Sequence, residues 1–145
     1  MAVRVQAEDF DLGVEAAALR GAGDAGALVT FSGVVRGGDV SAMTLEHYPG
    51  MTEAALAEIE AEAQERWPLT ATLIIHRVGR LAPGEQIMMV AAASRHRAAA
   101  FEAAEFLMDY LKTRAPFWKK EETPEGARWV DAREIDDAAA ARWAR

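Results

Sequence analysis

Residues 70–93 read TATLIIHRVGRLAPGEQIMMVAAA and contain two apolar runs, Thr70–Val78 and Gln86–Ala93, separated by the turn residues APGE. Apolar runs of this length on either side of a Pro-Gly turn are typical of neighbouring strands. The segment therefore predicts two paired strands. Downstream, His96–Lys112 repeats apolar residues at the spacing of a helix that faces the core, and Pro116 prevents that helix from continuing.

The rest of the sequence alternates between strand-like and helix-like segments, without repeats, low-complexity stretches or an internal linker. This order predicts an α+β fold, a mixed sheet with flanking helices, in one domain spanning residues 1–145. Asp11 and Thr52 are predicted to cap the helices that they introduce. The other predicted strands are Val3–Gln6, Ala27–Val35 with a bulge or close approach at Gly33, Met43–Tyr48, and a hairpin of Phe117–Glu122 with Arg128–Asp131; the other predicted helices are Leu12–Arg20, Thr52–Trp67 and Glu134–Arg145.

The composition is that of an ordinary soluble globular protein, with 51% apolar and 27% charged residues in a chain of 145. The net charge of −7 argues against nucleic acid or an anionic membrane as a partner, because phosphate-dominated binding needs a basic surface. No apolar run approaches the length of a membrane span. The N-terminal residues MAVRVQAEDF include two acids and lack the apolar core of a signal peptide, which predicts a cytoplasmic protein.

The chain has no cysteine, which excludes disulfides, thiolate metal sites, cysteine nucleophiles and a persulfide carried on this chain. Its three histidines, His47, His76 and His96, are well separated and do not show the spacing of a local metal site. There is also no glycine-rich motif for a dinucleotide or a nucleoside triphosphate. We therefore predict neither a metal nor a cofactor, and we interpret His47 and His76 as structural.

All three lysines lie within nine residues, Lys112, Lys119 and Lys120, in the segment LKTRAPFWKKE, whereas the chain carries thirteen arginines. Lysine is a compact and titratable point charge, so a sequence that otherwise avoids it has concentrated amines in one segment. A solvated basic strand is the alternative interpretation. Because side chains alternate along a strand, only one of Lys119 and Lys120 can face a pocket, and the strand pattern alone does not say which.

Two further basic segments lie at predicted element ends. Arg36 begins a glycine-rich loop directly after a buried strand, where a guanidinium can bind a phosphate or carboxylate in bidentate fashion. Arg95, His96 and Arg97 lie where a strand ends and a helix begins, a place that favours a bound anion. Lys112 closes that same helix, at its opposite end. A second element or a second subunit must therefore bridge the two ends if one site uses both.

The runs GVVRGG, LEHYPGM, SRHRAAAF, DYLKTRAPFWKKE and RWVDA together resemble the family of molybdopterin synthase catalytic (large) subunits, from about Val29 to Trp143. The resemblance implies an α/β hammerhead fold and a homodimer at the centre of a heterotetramer. It also implies a small ubiquitin-like partner of the MoaD type, whose C-terminal Gly-Gly tail carries a thiocarboxylate. The implied activity is that of a sulfurtransferase, which places two sulfurs on cyclic pyranopterin monophosphate and forms the dithiolene of molybdopterin.

The resemblance also implies roles for individual residues. Lys112 would meet the thiocarboxylate as charge partner or acyl acceptor, and Lys119 would act on the pterin as acid, base or electrostatic stabiliser. Lys120 is expected to have a supporting role at the surface. The residues implied for the anion pocket of the substrate are Arg36, His96, Arg97 and, from the neighbouring subunit, Arg133, while Phe31 and Phe117 are implied as walls of the pocket or as core residues.

Two other functions stay open on the sequence. A non-catalytic module that docks a ubiquitin-like tail would need a channel for that tail but no amine chemistry. A Schiff-base lyase would use Lys112 or Lys119 as its amine. Neither alternative accounts jointly for Arg36, the basic segment at the helix start and the lysines.

Overall fold

The computed structural model describes residues 2–130 and 134–144. These residues form one α+β domain in which two four-stranded sheets pack with four helices. The elements are β1 (Ala2–Gln6), α1 (Leu12–Arg20), β2 (Ala27–Val34), β3 (Ala42–His47), α2 (Met51–Arg66), β4 (Leu69–Arg77), β5 (Gly79–Leu81), β6 (Gln86–Ser94), α3 (Arg97–Arg114), β7 (Phe117–Thr123), β8 (Gly126–Val130) and α4 (Glu134–Ala141).

The first sheet has the strand order β1-β4-β6-β2 and contains the two runs that the sequence predicts as paired strands. β4 and β6 are antiparallel neighbours, with Ile74 opposite Val90, so this prediction is confirmed. After the first two residues of each strand, successive residues are all buried because both faces of the sheet are covered. Ile74 and Val90 pack against α2 and α3, whereas Leu73 and Ile75 pack against residues of α1 and the segment before it.

The second sheet has the strand order β5-β3-β7-β8. Its β7–β8 pair is the predicted hairpin, with Glu121 opposite Arg128. The predicted end of β8 at Asp131 lies outside the described residues. The short strand β5 is not predicted by the sequence pattern, since its three residues are too few to show an alternation, and Gly79 begins it with a positive φ of 96°.

Of the two predicted helix caps, one is confirmed and the other is wrong. Asp11 caps α1 as predicted, because its side chain accepts a hydrogen bond of 3.0 Å from the amide of Val14. Thr52, however, is not the cap of α2, since that helix begins at Met51 after Gly50. The Thr52 hydroxyl instead accepts from the amide of Tyr48 and donates to the carbonyl of Pro116, which joins the start of α2 to the residue before β7.

The ends of the other elements agree with the predictions to within a few residues. The helix α3 runs to Arg114, two residues past the predicted end, and α4 ends at Ala141 rather than at the last residue. In the part of the chain that the structure describes, no helix combines the length and the apolar character that crossing a membrane requires.

Candidate active site

A cavity of about 470 Å³ lies between the two sheets, where the C-terminal end of α3 meets them. β2, β4 and β6 contribute one wall, and β3, β7 and β8 contribute the other. The charged or titratable residues that line it are Arg36, His76, Lys112, Lys119, Glu121 and Asp136. The structure therefore brings three of the predicted site residues, Arg36, Lys112 and Lys119, to one cavity.

The two lysines reach the cavity from different elements. Lys112 is exposed in the last turn of α3, where the negative end of the helix dipole favours a cation. The extended residue Ala115 and Pro116 then connect the helix to β7, which carries the half-buried Lys119. The helix end and the strand thus place two amines at the same cavity, although seven positions of sequence separate them.

The alternation of β7 decides between the two neighbouring lysines. Phe117, Lys119 and Glu121 share the face that lines the cavity. Lys120 does not line it, and its ammonium lies instead 5.4 Å from the ring centroid of Trp129 on the neighbouring strand. The prediction that only one of the pair faces the pocket is confirmed, and that residue is Lys119.

The wall contributed by β2 ends in the loop of Arg36. The register of β2 against β6 shifts between Gly33 and Val34, which confirms the predicted irregularity at Gly33. A Cβ atom at Gly33 would lie 3.3 Å from Cγ of Met88, so a glycine allows the two strands to pack closely there. Phe31, which is 43% exposed, also lines the cavity, and Arg36 follows at its rim.

His96 and Arg97 do not line this cavity. His96 is the N-cap residue of α3 and Arg97 is its first helical residue, so both lie at the end of the helix remote from Lys112. Arg97 precedes Lys112 by 15 positions, about 22 Å along the helix axis. The side chains of His96 and Arg97 are both exposed. His96 borders a separate shallow depression, which Arg95 and Asp24 also line. The side chains of Arg95 and Asp24 form an ion pair there, with a distance of 3.1 Å. Arg133, the fourth predicted anion-binding residue, lies outside the described residues.

The cavity also carries negative charge, which the sequence analysis does not anticipate. The carboxylate of Glu121 accepts two hydrogen bonds of 3.2 Å from the guanidinium of Arg128 on the neighbouring strand. Asp136 reaches the cavity from α4. Among the residues that the structure describes, two carboxylates lie beside three strong cations, so this is a mixed-charge site. Within residues 2–130 and 134–144, no group of three or more acidic, histidine or cysteine side chains is arranged to hold a metal ion.

His76, which the sequence analysis interprets as structural, lines the cavity. It is only 3% exposed, and its ring stacks on Phe117 with centroids 3.7 Å apart and planes 15° apart. Burial lowers the pKa of His76 to about 4. The hydrogen bond to Arg77 opposes this shift, and the nearby charges of Lys112, Lys119 and His47 lower the pKa by smaller amounts. Its position in the sequence was the available signal, because it is the next-to-last residue of a mostly apolar strand. It also shares a face with Ile74, which packs against α3.

Together, the fold and the cavity define an α+β enzyme whose amines face a mixed-charge cavity between two sheets. The chain belongs to the MoaE protein family, whose family model matches residues 5–114. A molybdopterin synthase catalytic subunit from Cereibacter sphaeroides is 62% identical over 146 residues, covering 99% of this chain and 100% of that protein.

Solved structures agree with the assignment. A molybdopterin biosynthesis MoaE protein from Burkholderia ambifaria is 60% identical, with a TM-score of 0.86 over 99% of this chain and 98% of the other. A protein–protein complex of subunits 1 and 2 of molybdopterin-converting factor from Helicobacter pylori contains a chain of similar structure, with a TM-score of 0.77. The match covers 90% of this chain and 91% of that chain. At 18% identity that similarity shows the fold alone. The fold and the family that the sequence resemblance implies are both confirmed.

Proposed function

We propose that this chain is the catalytic subunit of a molybdopterin synthase, a sulfurtransferase. It takes sulfur from the thiocarboxylate at the C-terminal Gly-Gly tail of a small ubiquitin-like partner and adds it to cyclic pyranopterin monophosphate, forming the dithiolene of molybdopterin. The observation that carries the proposal is the meeting of Lys112, Lys119 and Arg36 at one cavity. Because the chain has no cysteine, the sulfur has to arrive on another molecule.

The two lysines have different tasks in this proposal. Lys112 is exposed at the end of a helix, so it can meet the thiocarboxylate of an incoming tail as charge partner or acyl acceptor. Lys119 is half-buried in β7, so it acts on the pterin as acid, base or electrostatic stabiliser. Preplaced cations at the cavity stabilise the negative charge that develops on oxygen and sulfur during the transfer.

Arg36 binds the cyclic phosphate of the substrate in this proposal, because a guanidinium at a glycine-rich loop can donate two hydrogen bonds to one phosphate. His96 and Arg97 lie too far from Lys112 along α3 to join the same substrate within one chain. We therefore assign them to the cavity of a second copy, which makes the homodimer part of the catalytic unit. Arg133 is assigned to the neighbouring subunit on the sequence resemblance alone.

The partner is a ubiquitin-like subunit of the MoaD type, docked at each end of the homodimer. The complex from Helicobacter pylori, which has two different subunits and a chain of this fold, supports such an assembly. A tail that ends in Gly-Gly suits a narrow approach between the sheets, because glycine lets a backbone pass close to its surroundings. We also propose that residues 1–145 act as one domain and that the protein is cytoplasmic, which cell fractionation would test.

The test is reconstitution of the reaction. The chain is mixed with the thiocarboxylated small subunit and cyclic pyranopterin monophosphate, and molybdopterin is measured. We expect product from the unchanged chain, a loss of about 100-fold or more for Lys119→Ala, and an intact complex by gel filtration in both cases.

Lys120→Ala is the matched control, because it removes a neighbouring lysine that does not line the cavity. It should retain most of the rate. No product from folded, complexed components would refute the proposal. Equal rates for Lys119→Ala and the unchanged chain would instead favour a module that only docks the tail.

A further inference from the structure

β2 is an edge strand of the first sheet, because the strand order β1-β4-β6-β2 places it last. Its backbone therefore carries, on the side away from β6, hydrogen-bonding groups that no strand in the described part of the chain pairs with. Thr30, Phe31 and Ser32 are exposed in succession, so both faces of the sheet are open at this point. In β4 and β6, by contrast, long runs of successive residues are buried.

The composition of β2 differs from that of the other edge strands of the two sheets. Among the described residues, β1 carries Arg4, β5 carries Arg80 and β8 carries Arg128. The eight residues of β2, ALVTFSGV, include no charged residue and no proline. Charges and prolines are what keep an edge from pairing with another strand. An edge of this length that lacks them is suited to the addition of a further strand.

The helix above this edge has one uncovered flank. α2 contacts β1 and β4, whereas α3 contacts β6 and β2, so one flank of α3 faces α2 and the other faces the β2 edge. On the first flank, Phe106 contacts the rings of Trp67 and Trp143. The second flank, here called the edge flank, carries four residues at helical spacing: Arg97, Phe101, Met108 and Lys112. Phe101 is 59% exposed there, which is unusual for a phenylalanine with no partner to cover it.

The two ends of β2 lie beside two different parts of the proposed site. Ala27 is opposite Ser94 of β6, just before the start of α3, and Val34 lines the cavity. The strand spans about 24 Å between Ala27 and Val34, in seven steps of the usual rise. This span is close to the ~22 Å between the basic residues at the two ends of α3. A rotation that exchanges the ends of β2 therefore also exchanges the ends of α3.

We propose that two copies of the chain pair through β2. The two strands add to each other in antiparallel fashion, around a two-fold axis at Phe31, the centre of the exposed run. In this register Thr30 lies opposite Ser32 of the second copy. The two first sheets, with four strands from each copy, become one continuous sheet.

This pairing brings the start of each α3 to the cavity of the other copy. With the axis at Phe31, Ala27 lies opposite Val35 of the second copy, the residue before Arg36. A two-fold axis between antiparallel strands is perpendicular to their sheet, so both copies of α3 lie on the same face, antiparallel and with their edge flanks toward each other. Phe101 is thereby covered, and the helix start of one copy lies near the rim of the other copy's cavity.

A second copy fits this edge better than the extended tail of the small partner. A tail added to β2 would pair with its backbone but would leave Phe101 exposed. A second copy covers both and also supplies His96 and Arg97. The catalytic meaning of the pairing rests on the proposed function, which assigns these two residues to the cavity of a second copy. The pairing itself names the surface by which they arrive there.

Engineered cysteines test the register directly, because the chain has none of its own. Opposite residues of antiparallel strands have Cα atoms about 4.5–5.5 Å apart, within the range that a disulfide spans, whereas diagonal neighbours are about 7–8 Å apart. The double variant Thr30→Cys with Ser32→Cys should therefore form a covalent dimer under mild oxidation, seen on a non-reducing gel. Either single variant should remain largely uncrosslinked. A double variant that forms no covalent dimer would overturn the proposal.

The stability of the dimer gives a second test. Thr30→Arg gives β2 the kind of charge that the other edge strands carry, and Phe101→Glu places a charge on the edge flank. Each should raise the Kd of the dimer about 100-fold or more in analytical ultracentrifugation, with an unchanged circular dichroism spectrum. Phe101→Glu is on an exposed helix position, so it keeps the test valid if Thr30→Arg does not fold.

Met51→Glu is the matched control, because Met51 is 60% exposed at the start of α2, which α3 separates from the β2 edge. It should leave the Kd unchanged. An unchanged chain that is monomeric, or a dimer that neither Thr30→Arg nor Phe101→Glu weakens, would overturn the proposal. Amides of β2 that become protected from hydrogen exchange only when the small partner is added would also overturn it, and would assign the edge to the tail.

Activity separates this proposal from the proposed function. If the double cysteine variant crosslinks but the unchanged chain, with thiocarboxylated partner and cyclic pterin, forms no molybdopterin, the proposed function fails and the pairing stands. If the unchanged chain is active but the double variant does not crosslink and the charged variants stay dimeric, the pairing fails and the proposed function stands.

Discussion

The two ends of α3 differ in whether their basic residues lie at an enclosed cavity of the same chain. At the C-terminal end, Lys112 lies at a cavity that two sheets enclose, beside the stacked pair of His76 and Phe117. At the N-terminal end, His96 and Arg97 are exposed, and His96 makes no side-chain capping bond. A single chain thus builds one half of the proposed site, the amine half, which contains Lys112, Lys119 and Arg36. It leaves open the other half, the helix-start half of His96 and Arg97, which is the pattern expected when a second copy completes the site.

The largest expected effect is at the amine half. Lys112→Ala should reduce molybdopterin formation about 100-fold or more, because it removes the cation that meets the thiocarboxylate. The measurement is the single-turnover rate with preformed complex. Arg114→Ala is the matched control: Arg114 is two residues away, pairs with Glu62 and lies over the ring of Tyr110, and it does not line the cavity. Equal losses in the two variants would contradict a specific role for Lys112.

A smaller effect is expected at the rim of the cavity. Arg36→Ala should raise KM for the cyclic pterin about tenfold to 100-fold, because one bidentate contact to the phosphate is lost. Steady-state kinetics at saturating partner would measure the change. Arg80→Ala serves as comparison, since Arg80 is exposed, pairs with Glu122 and lies outside the cavity. An unchanged KM in Arg36→Ala would remove Arg36 from the substrate site.

The smallest effect on activity is expected at Thr52, which stabilises the fold near the site but does not line the cavity. Thr52→Val removes the hydroxyl that joins the start of α2 to Pro116, and so leaves the Tyr48 amide without its acceptor. The free energy of unfolding should fall by about 1–3 kcal/mol, as measured by urea denaturation, with little change in kcat. A variant as stable as the unchanged chain would show that this link contributes nothing.

Most of the elements could be predicted from the sequence because each has a strong local signal. The helix α3 shows a clear apolar repeat, and Pro116 marks its end. β4 and β6 are mostly apolar and lie on either side of a Pro-Gly turn. The cap of α2 was assigned wrongly to Thr52 because a threonine before a helical pattern looks the same whether its hydroxyl caps the helix or bonds to a distant carbonyl.

The candidate site was predicted in part. Lys119 and Lys120 could be separated in principle by alternation, but only the pairing of β7 with its neighbours decides which one lies inside. His76 was missed because a histidine in an apolar strand gives the same pattern whether it packs in the core or borders a cavity. Glu121 was missed for a related reason: its place on the cavity face depends on β7 packing against the first sheet.

The central claim is that the amine half and the helix-start half of one site come from two copies of the chain. Subunit complementation between Lys119→Ala and Arg97→Ala tests it most directly. Each variant is expected to be nearly inactive alone. If the halves come from different copies, unfolding and refolding an equal mixture should restore about a quarter of the unchanged rate, since half of randomly paired dimers contain one intact site. A mixture no more active than its components would contradict the claim.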